Sequence, residues 1–85
     1  MLTRFWFRYK NLKRFSSLTL GCGITAFDQN DALAILRERV FDRLGESPEI
    51  MEIVRDVDIR SLDQGHVIPN MEPPVIRGVW FPRGF

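Results

Sequence analysis

The chain has 85 residues, of which 45% are hydrophobic and 27% charged, and its formal net charge is +1. This length suits a single domain, residues 1–85, and the composition fits neither a disordered nor a membrane-spanning protein. The sequence has no apolar stretch of ~20 residues, and its one cysteine favours a reducing compartment. Arg4 and Arg8 interrupt the apolar N-terminal residues, so we expect no secretory signal. We therefore expect a cytoplasmic protein that does not bind a membrane.

Two strands are predicted in the first third of the chain, where side chains alternate with a period of two. Residues 2–9 form the first, with a core face of Thr3, Phe5, Phe7 and Tyr9. Residues 18–27 form the second, with a core face of Leu18, Leu20, Cys22, Ile24 and Ala26. The other face of the second strand carries Gly21 and Gly23, and Trp6 is the ring expected to cover their bare backbone. A hairpin loop of residues 11–17 joins the two strands.

One helix is predicted over about residues 30–44. Either Asp28 or Asn30 can cap its N-terminus, and Gly45 ends it. Apolar side chains recur at spacings of three and four residues, which is typical of a helix with one buried face: Ala32, Leu33, Leu36, Val40 and Leu44. This apolar stripe is expected to cover the two strands.

Two more strands are predicted after the helix. The third follows Pro48, and its alternation gives one face to Met51, Ile53, Val57 and Ile59. Ile50 and Arg55 break this alternation, which indicates a bulge. The prolines and glycine of residues 61–74 predict an irregular segment. The last strand, residues 75–81, stops at Pro82, and a proline there favours a position at the edge of the sheet.

The expected fold is therefore a small α+β domain with the order β-β-α-β-β. One amphipathic helix packs on a three- to four-stranded sheet, which is antiparallel or mixed. This order of elements resembles that of β-grasp domains, and the resemblance covers the order alone. Because unrelated functions share one fold, it implies no function.

The C-terminal segment carries the leading hypothesis for a binding site. Aromatic residues and arginine are enriched at the energetic centres of protein interfaces, and four residues here have that character: Arg77, Trp80, Phe81 and Arg83. We interpret the chain as a non-enzymatic binding module whose partner is another protein, or a second copy in a homodimer, engaged through a strand edge. The alternative use of the rings is to complete the core of a small domain.

A second hypothesis is a nucleic-acid site on the first strand and the loop that follows it. Cationic side chains that alternate with an aromatic ring are typical of surfaces that bind single-stranded RNA or DNA, and the residues concerned are Arg4, Trp6, Arg8, Lys10, Lys13 and Arg14. A ring between arginines is also explained by a cation–π contact, or by packing on the neighbouring glycines.

The third hypothesis is an enzyme with Cys22 as its nucleophile. The only histidine, His66, lies in the irregular segment, and nothing in the sequence brings it to Cys22. Because Cys22 shares its face with apolar residues, a buried, unreactive thiol is the favoured interpretation. Asp56 and Asp58 share a strand face and are interpreted as solvated acids. No zinc or calcium pattern is present, so we expect no metal and no cofactor.

Overall fold

The computed structural model describes residues 1–10, 20–45 and 47–85. The predictions for the hairpin loop, Lys13, Arg14 and Leu18 lie outside the described residues. Within them the chain follows the predicted order of strand, strand, helix, strand, strand. The strands are β1 (Thr3–Lys10), β2 (Cys22–Ala26), β3 (Glu49–Arg55) and β4 (Gly78–Phe81).

The four strands form one sheet in the order β3-β1-β2-β4, and all the pairs are antiparallel. The predicted α+β class is confirmed, and of the two expected sheet types the antiparallel one is observed. In the central pair, Phe5 of β1 lies opposite Ile24 of β2. The last strand lies at an edge, as Pro82 predicted, and it is shorter than expected because it begins only at Gly78.

The helix, residues 29–44, covers one face of the sheet. It consists of α1 (Gln29–Ile35), a π-helical stretch (Leu36–Phe41) and a last turn, α2 (Asp42–Leu44). The predicted caps are confirmed: the Asp28 side chain accepts a hydrogen bond from the Asp31 amide, and Gly45 ends the helix with a φ of 75°. The main core lies between helix and sheet and contains Phe5, Phe7, Cys22, Ile24, Ala26, Ala32, Ile35, Leu36, Val40 and Phe41.

Part of the connection between β3 and β4, residues 56–77, covers the opposite face of the sheet, and we call this connection the covering segment. It crosses from the β3 edge to the β4 edge and is irregular apart from two short 3-10 turns, Ile59–Ser61 and Ile68–Asn70. A second apolar cluster fills the space between it and the sheet: Trp6, Val57, Val67, Trp80 and Phe81. The described residues therefore form three layers, which are helix, sheet and covering segment.

Three details of the predicted core are wrong. Val57 and Ile59 do not share a strand face with Ile53, because β3 ends at Arg55; they pack in the second cluster, whereas Ile53 packs against the main core. Leu20 is exposed, because β2 begins at Cys22 and the alternation does not extend back to residue 20. Met51 is exposed because it is the bulged residue of β3, where Ile50 lies opposite Tyr9 and Glu52 lies opposite Arg8. The predicted bulge thus exists, and it changes which side chains share a face.

Candidate interaction surfaces

A bulge in β4 determines where the aromatic side chains of the C-terminal segment point. Gly23 lies opposite Phe81 and Ile24 opposite Val79, so Trp80 is the extra residue between two pairs. Trp80 and Phe81, although consecutive, therefore pack in the same cluster, and both are buried. Their ring centroids lie 5.8 Å and 5.6 Å from that of Trp6.

The two tryptophans lie directly on the glycines of the second strand region. A Cβ atom added to Gly21 would lie 2.5 Å from the Trp6 ring, and one added to Gly23 would lie 2.5 Å from the Trp80 ring. The prediction that Trp6 covers bare glycine backbone is confirmed at Gly21, while Trp80 covers Gly23. Only glycine allows this close an approach of ring and backbone.

Of the four C-terminal residues predicted to bind a protein, the two arginines are exposed and the two rings are not. The guanidinium of Arg83 donates a hydrogen bond to the carbonyl of Met71 at 3.0 Å, and its Nε lies 3.7 Å from the Glu72 carboxylate. A partner that binds this folded state reaches Arg77 and Arg83, whereas Trp80 and Phe81 are covered by the chain itself.

Of the residues predicted to bind nucleic acid, the structure describes Arg4, Trp6, Arg8 and Lys10, and most of these make contacts within the chain. Arg4 is half-buried and donates from Nε to the Val57 carbonyl at 3.1 Å. Trp6 is 6% exposed. Arg8 lies 3.5 Å from Glu52, and Lys10 is exposed at the end of β1. Trp6 therefore offers no open ring face on which a nucleic-acid base could stack in this state.

Cys22 is fully buried in the main core, and burial raises the pKa of its thiol to about 12. Burial, with a further contribution from the neighbouring Cys22, also raises the pKa of Tyr9. His66 is exposed on the covering segment, with Nδ1 3.2 Å from Asp63. A reactive cysteine requires an accessible site that stabilises the thiolate, and Cys22 has the opposite surroundings.

Asp56 and Asp58 are exposed, as expected for solvated carboxylates, but β3 ends at Arg55, so the strand face predicted to carry them both is wrong. Asp58 caps a 3-10 turn by accepting from the Arg60 amide, and the hydrogen bond from the Arg60 side chain lowers the Asp58 pKa. Asp56 has a φ of 58°, which a short polar side chain tolerates at a turn. Among the residues that the structure describes, no cluster of three or more His, Cys, Asp or Glu could hold a metal ion.

The sequence did not predict the apolar surface at one end of the sheet, which we define as Phe27, Val75 and Ile76. Their exposed fractions are 61%, 70% and 65%. The Thr25 hydroxyl donates to the Pro74 carbonyl, and Thr25 lies opposite Gly78. Residues 75 and 76 therefore lie beside the end of β2. Phe27 is the residue that directly follows β2. We call these three residues the apolar end surface.

Arg77 is fixed at the edge of the apolar end surface. Its guanidinium carbon lies 5.4 Å from the centroid of the Phe27 ring, and its Nε donates to Asp31 at 2.9 Å. The hydrogen bond from Arg77 is the largest cause of a lowered Asp31 pKa, which falls to about 2, and the bond from the Phe27 amide lowers it further. The Asp31 carboxylate thus binds both the Arg77 guanidinium and the backbone amide of Phe27.

The sequence signal for this surface lies in its flanking residues. The sequence predicts a strand that includes Val75 and Ile76, and alternation along that strand would bury one of them. Pro73 and Pro74 precede them and Gly78 follows with a φ of 137°, and such residues interrupt a strand. The segment therefore forms a loop that presents both apolar side chains to solvent.

No helix in the described parts of the chain is both long and apolar enough to cross a membrane. No protein-family model, curated protein or solved structure matches this chain. The surfaces and contacts of the chain itself are therefore the basis for a functional proposal.

Proposed function

We propose that this chain is a non-enzymatic interaction module that binds another protein through the apolar end surface and Arg77. The proposal rests on one observation: three large apolar side chains are exposed on neighbouring segments of the chain, after β2 and before β4, and an arginine is fixed over one of them. Contiguous exposed apolar side chains are uncommon on monomeric proteins and mark binding sites. Aromatic residues and arginine are also the residues that dominate binding energy at interfaces.

The fixed position of Arg77 supports this choice. Binding normally costs the conformational freedom of each long side chain that becomes immobilised. Asp31 already holds Arg77 through the Nε and Nη2 atoms, so little further freedom is lost when a partner binds. The remaining N–H groups of the guanidinium can donate to carbonyl or carboxylate oxygens of the partner. The partner therefore presents an apolar contact with an acceptor group beside it.

The other two hypotheses have less support in this folded state. Single-stranded nucleic acid needs the Trp6 ring for stacking, and that ring is covered by the chain. An enzyme based on Cys22 needs an accessible thiolate, and that thiol is buried with a raised pKa. The apolar end surface requires neither residue.

The test compares the parent with the double variant Val75→Ser/Ile76→Ser. Both substitutions replace exposed apolar side chains, so the free energy of unfolding should change little. Met51→Ser is the matched control, because Met51 is also an exposed apolar residue (53%) but lies on β3. We expect parent and control to form the same crosslinked complexes with proteins of the source cell, and the double variant to lose them. Equal complexes in all three proteins would contradict the proposal.

Sedimentation velocity over a range of protein concentrations distinguishes a second copy from another protein. If the partner is a second copy, the parent and Met51→Ser dimerise while Val75→Ser/Ile76→Ser remains monomeric. If the partner is another protein, all three are monomeric and differ only in the crosslinked complexes. Dimers of equal stability in all three proteins would place the contact elsewhere.

A further inference from the structure

The central part of the covering segment, residues 58–70, forms hydrogen bonds only within itself among the described residues. Asp58 accepts from the Arg60 and Ser61 amides, and Asp63 accepts from the Gly65 and His66 amides. Within the same segment the Val67 amide donates to the Asp63 carbonyl, and the Asn70 side chain donates to the His66 carbonyl. These residues can therefore move away from the sheet without breaking any of these hydrogen bonds.

Hydrogen bonds join the covering segment to the sheet on either side of residues 58–70. On one side, Val57 and Arg4 are linked by a backbone bond of 3.2 Å and by the Arg4 side chain. On the other side, the Glu72 amide donates to the Trp80 carbonyl at 2.7 Å. Between these two attachments, the Met71 carbonyl accepts a hydrogen bond from Arg83. The remaining thirteen residues, 58 to 70, meet the sheet through apolar side chains and through the electrostatic interaction of Asp58 with Arg4. Val67 is the one fully buried among them.

The length and irregularity of the covering segment also indicate that it can move relative to the sheet. Connections this long with little secondary structure are uncommon in small domains, and where they occur they are usually functional loops, such as lids and binding loops, or linkers. Few buried apolar contacts and no hydrogen bonds to the rest of the fold are the features of a region that opens independently of global unfolding.

The tryptophan beneath the segment supplies an independent observation. The indole nitrogen of Trp80 is buried and has no hydrogen-bond partner among the described residues. A buried donor without an acceptor is unfavourable, and water satisfies it once the ring is uncovered. The observed conformation, in which residues 58–70 cover Trp80, therefore carries an unfavourable contribution to its free energy from the buried indole N–H.

We infer that residues 58–70 form a lid that swings off the sheet as one unit and uncovers the rings of Trp6, Trp80 and Phe81. The attachments at Val57 and Glu72 act as its two hinges. The lid concerns the face of the sheet that the second apolar cluster occupies, so the inference does not depend on the apolar end surface or on the proposed partner.

Hydrogen exchange of the Trp80 indole N–H, followed by nitrogen-15 NMR, tests the lid directly. Because this N–H lacks an acceptor, only burial protects it. We expect it to exchange on the order of 100-fold or more faster than the slowest amides of the central strands β1 and β2, which report global unfolding. Exchange of the indole at the same rate as those amides would overturn the inference.

Two variants separate lid opening from global unfolding. Val40→Ala removes a main-core contact that only global unfolding breaks, so the strand amides should exchange about tenfold faster while the Trp80 indole is unchanged. Val67→Ala removes a lid contact that both openings break, so both rates should rise by a similar factor. If Val40→Ala accelerates the indole in step with the strand amides, there is no separate lid. Ile24→Val is a milder core change for the same comparison if Val40→Ala does not fold.

Discussion

Gly23→Ala is the substitution for which the structure gives the clearest expected cost. The new Cβ would lie 2.5 Å from three carbons of the outer ring of Trp80, whereas ordinary carbon contacts begin near ~3.5 Å. The ring would have to retreat by about 1 Å, but it is 1% exposed and packed against Trp6. Forced overpacking of this kind costs about 3 kcal/mol, at the upper end of its usual range, because an indole is rigid.

An opposing effect reduces this cost. Alanine restricts the unfolded chain more than glycine does, which returns ~0.5 to 1 kcal/mol. The expected net loss of unfolding free energy is therefore about 2 kcal/mol. A chain of 85 residues has a total stability of roughly 4 to 13 kcal/mol, so the variant should still fold. With an m-value near ~1 kcal/mol per molar, the urea midpoint should fall by about 2 M.

The assay is urea unfolding followed by circular dichroism, with two comparison variants. Gly65→Ala is the matched control, because its Cβ would meet only an ordinary contact of 3.5 Å with Asp63, and we expect a change within about 0.5 kcal/mol. Trp80→Phe removes the outer ring that carries the three close carbons, so Gly23→Ala should cost almost nothing in that background. If Gly23→Ala lowers the free energy of unfolding equally in the parent and in Trp80→Phe, the reasoning is refuted. A loss of less than about 0.5 kcal/mol for Gly23→Ala in the parent would also refute it.

Three further predictions follow from single contacts. Cys22, with its pKa raised to about 12, should resist a thiol reagent at neutral pH until denaturant is added; labelling of the folded protein at the rate of a free thiol would contradict this. Because the folded pKa of Asp31 is lowered to about 2, the contribution of this carboxylate to stability is present above the unfolded value of 3.8 and is lost as pH falls toward 2. Urea titrations of Asp31→Asn at several pH values should therefore show a smaller loss of stability in acid than the parent. An equal loss in both proteins would contradict this role of Asp31. Asp28→Ala removes the acceptor that lies 2.8 Å from the Asp31 amide and should cost about 1 kcal/mol in the same titrations, whereas Asp28→Asn should cost much less.

The helix-facing side of the fold is the part that sequence patterns could predict. Alternation in β1 places Phe5 and Phe7 in the core, and the spacing of Leu36 and Val40 gives the buried face of the helix. Both patterns depend only on local backbone geometry, with a period of two in a strand and 3.6 in a helix. They need no knowledge of which strands are neighbours.

The other side of the fold depends on pairing between distant strands, and so the local pattern fails there. A bulge is defined by the partner strand, because two residues oppose one. The bulge at Trp80 buries two consecutive rings that alternation would place on opposite faces, and the bulge at Met51 exposes a residue expected in the core. Val67 illustrates a second limit: it lies in irregular chain, where no period marks it as buried.

These two limits also explain why the binding surface proposed from the structure differs from the residues that the sequence predicted. Both faces of the sheet are covered within this short chain, and the second cover uses Trp6, Trp80 and Phe81 as its apolar contacts. The rings that look most suited to recognition are therefore used for folding, and glycines at positions 21 and 23 make room for two of them. Large apolar side chains remain exposed where the strand pattern is interrupted, at the turn after β2 and in the loop before β4. A binding surface on this fold is accordingly expected where strands end and not on the strands themselves.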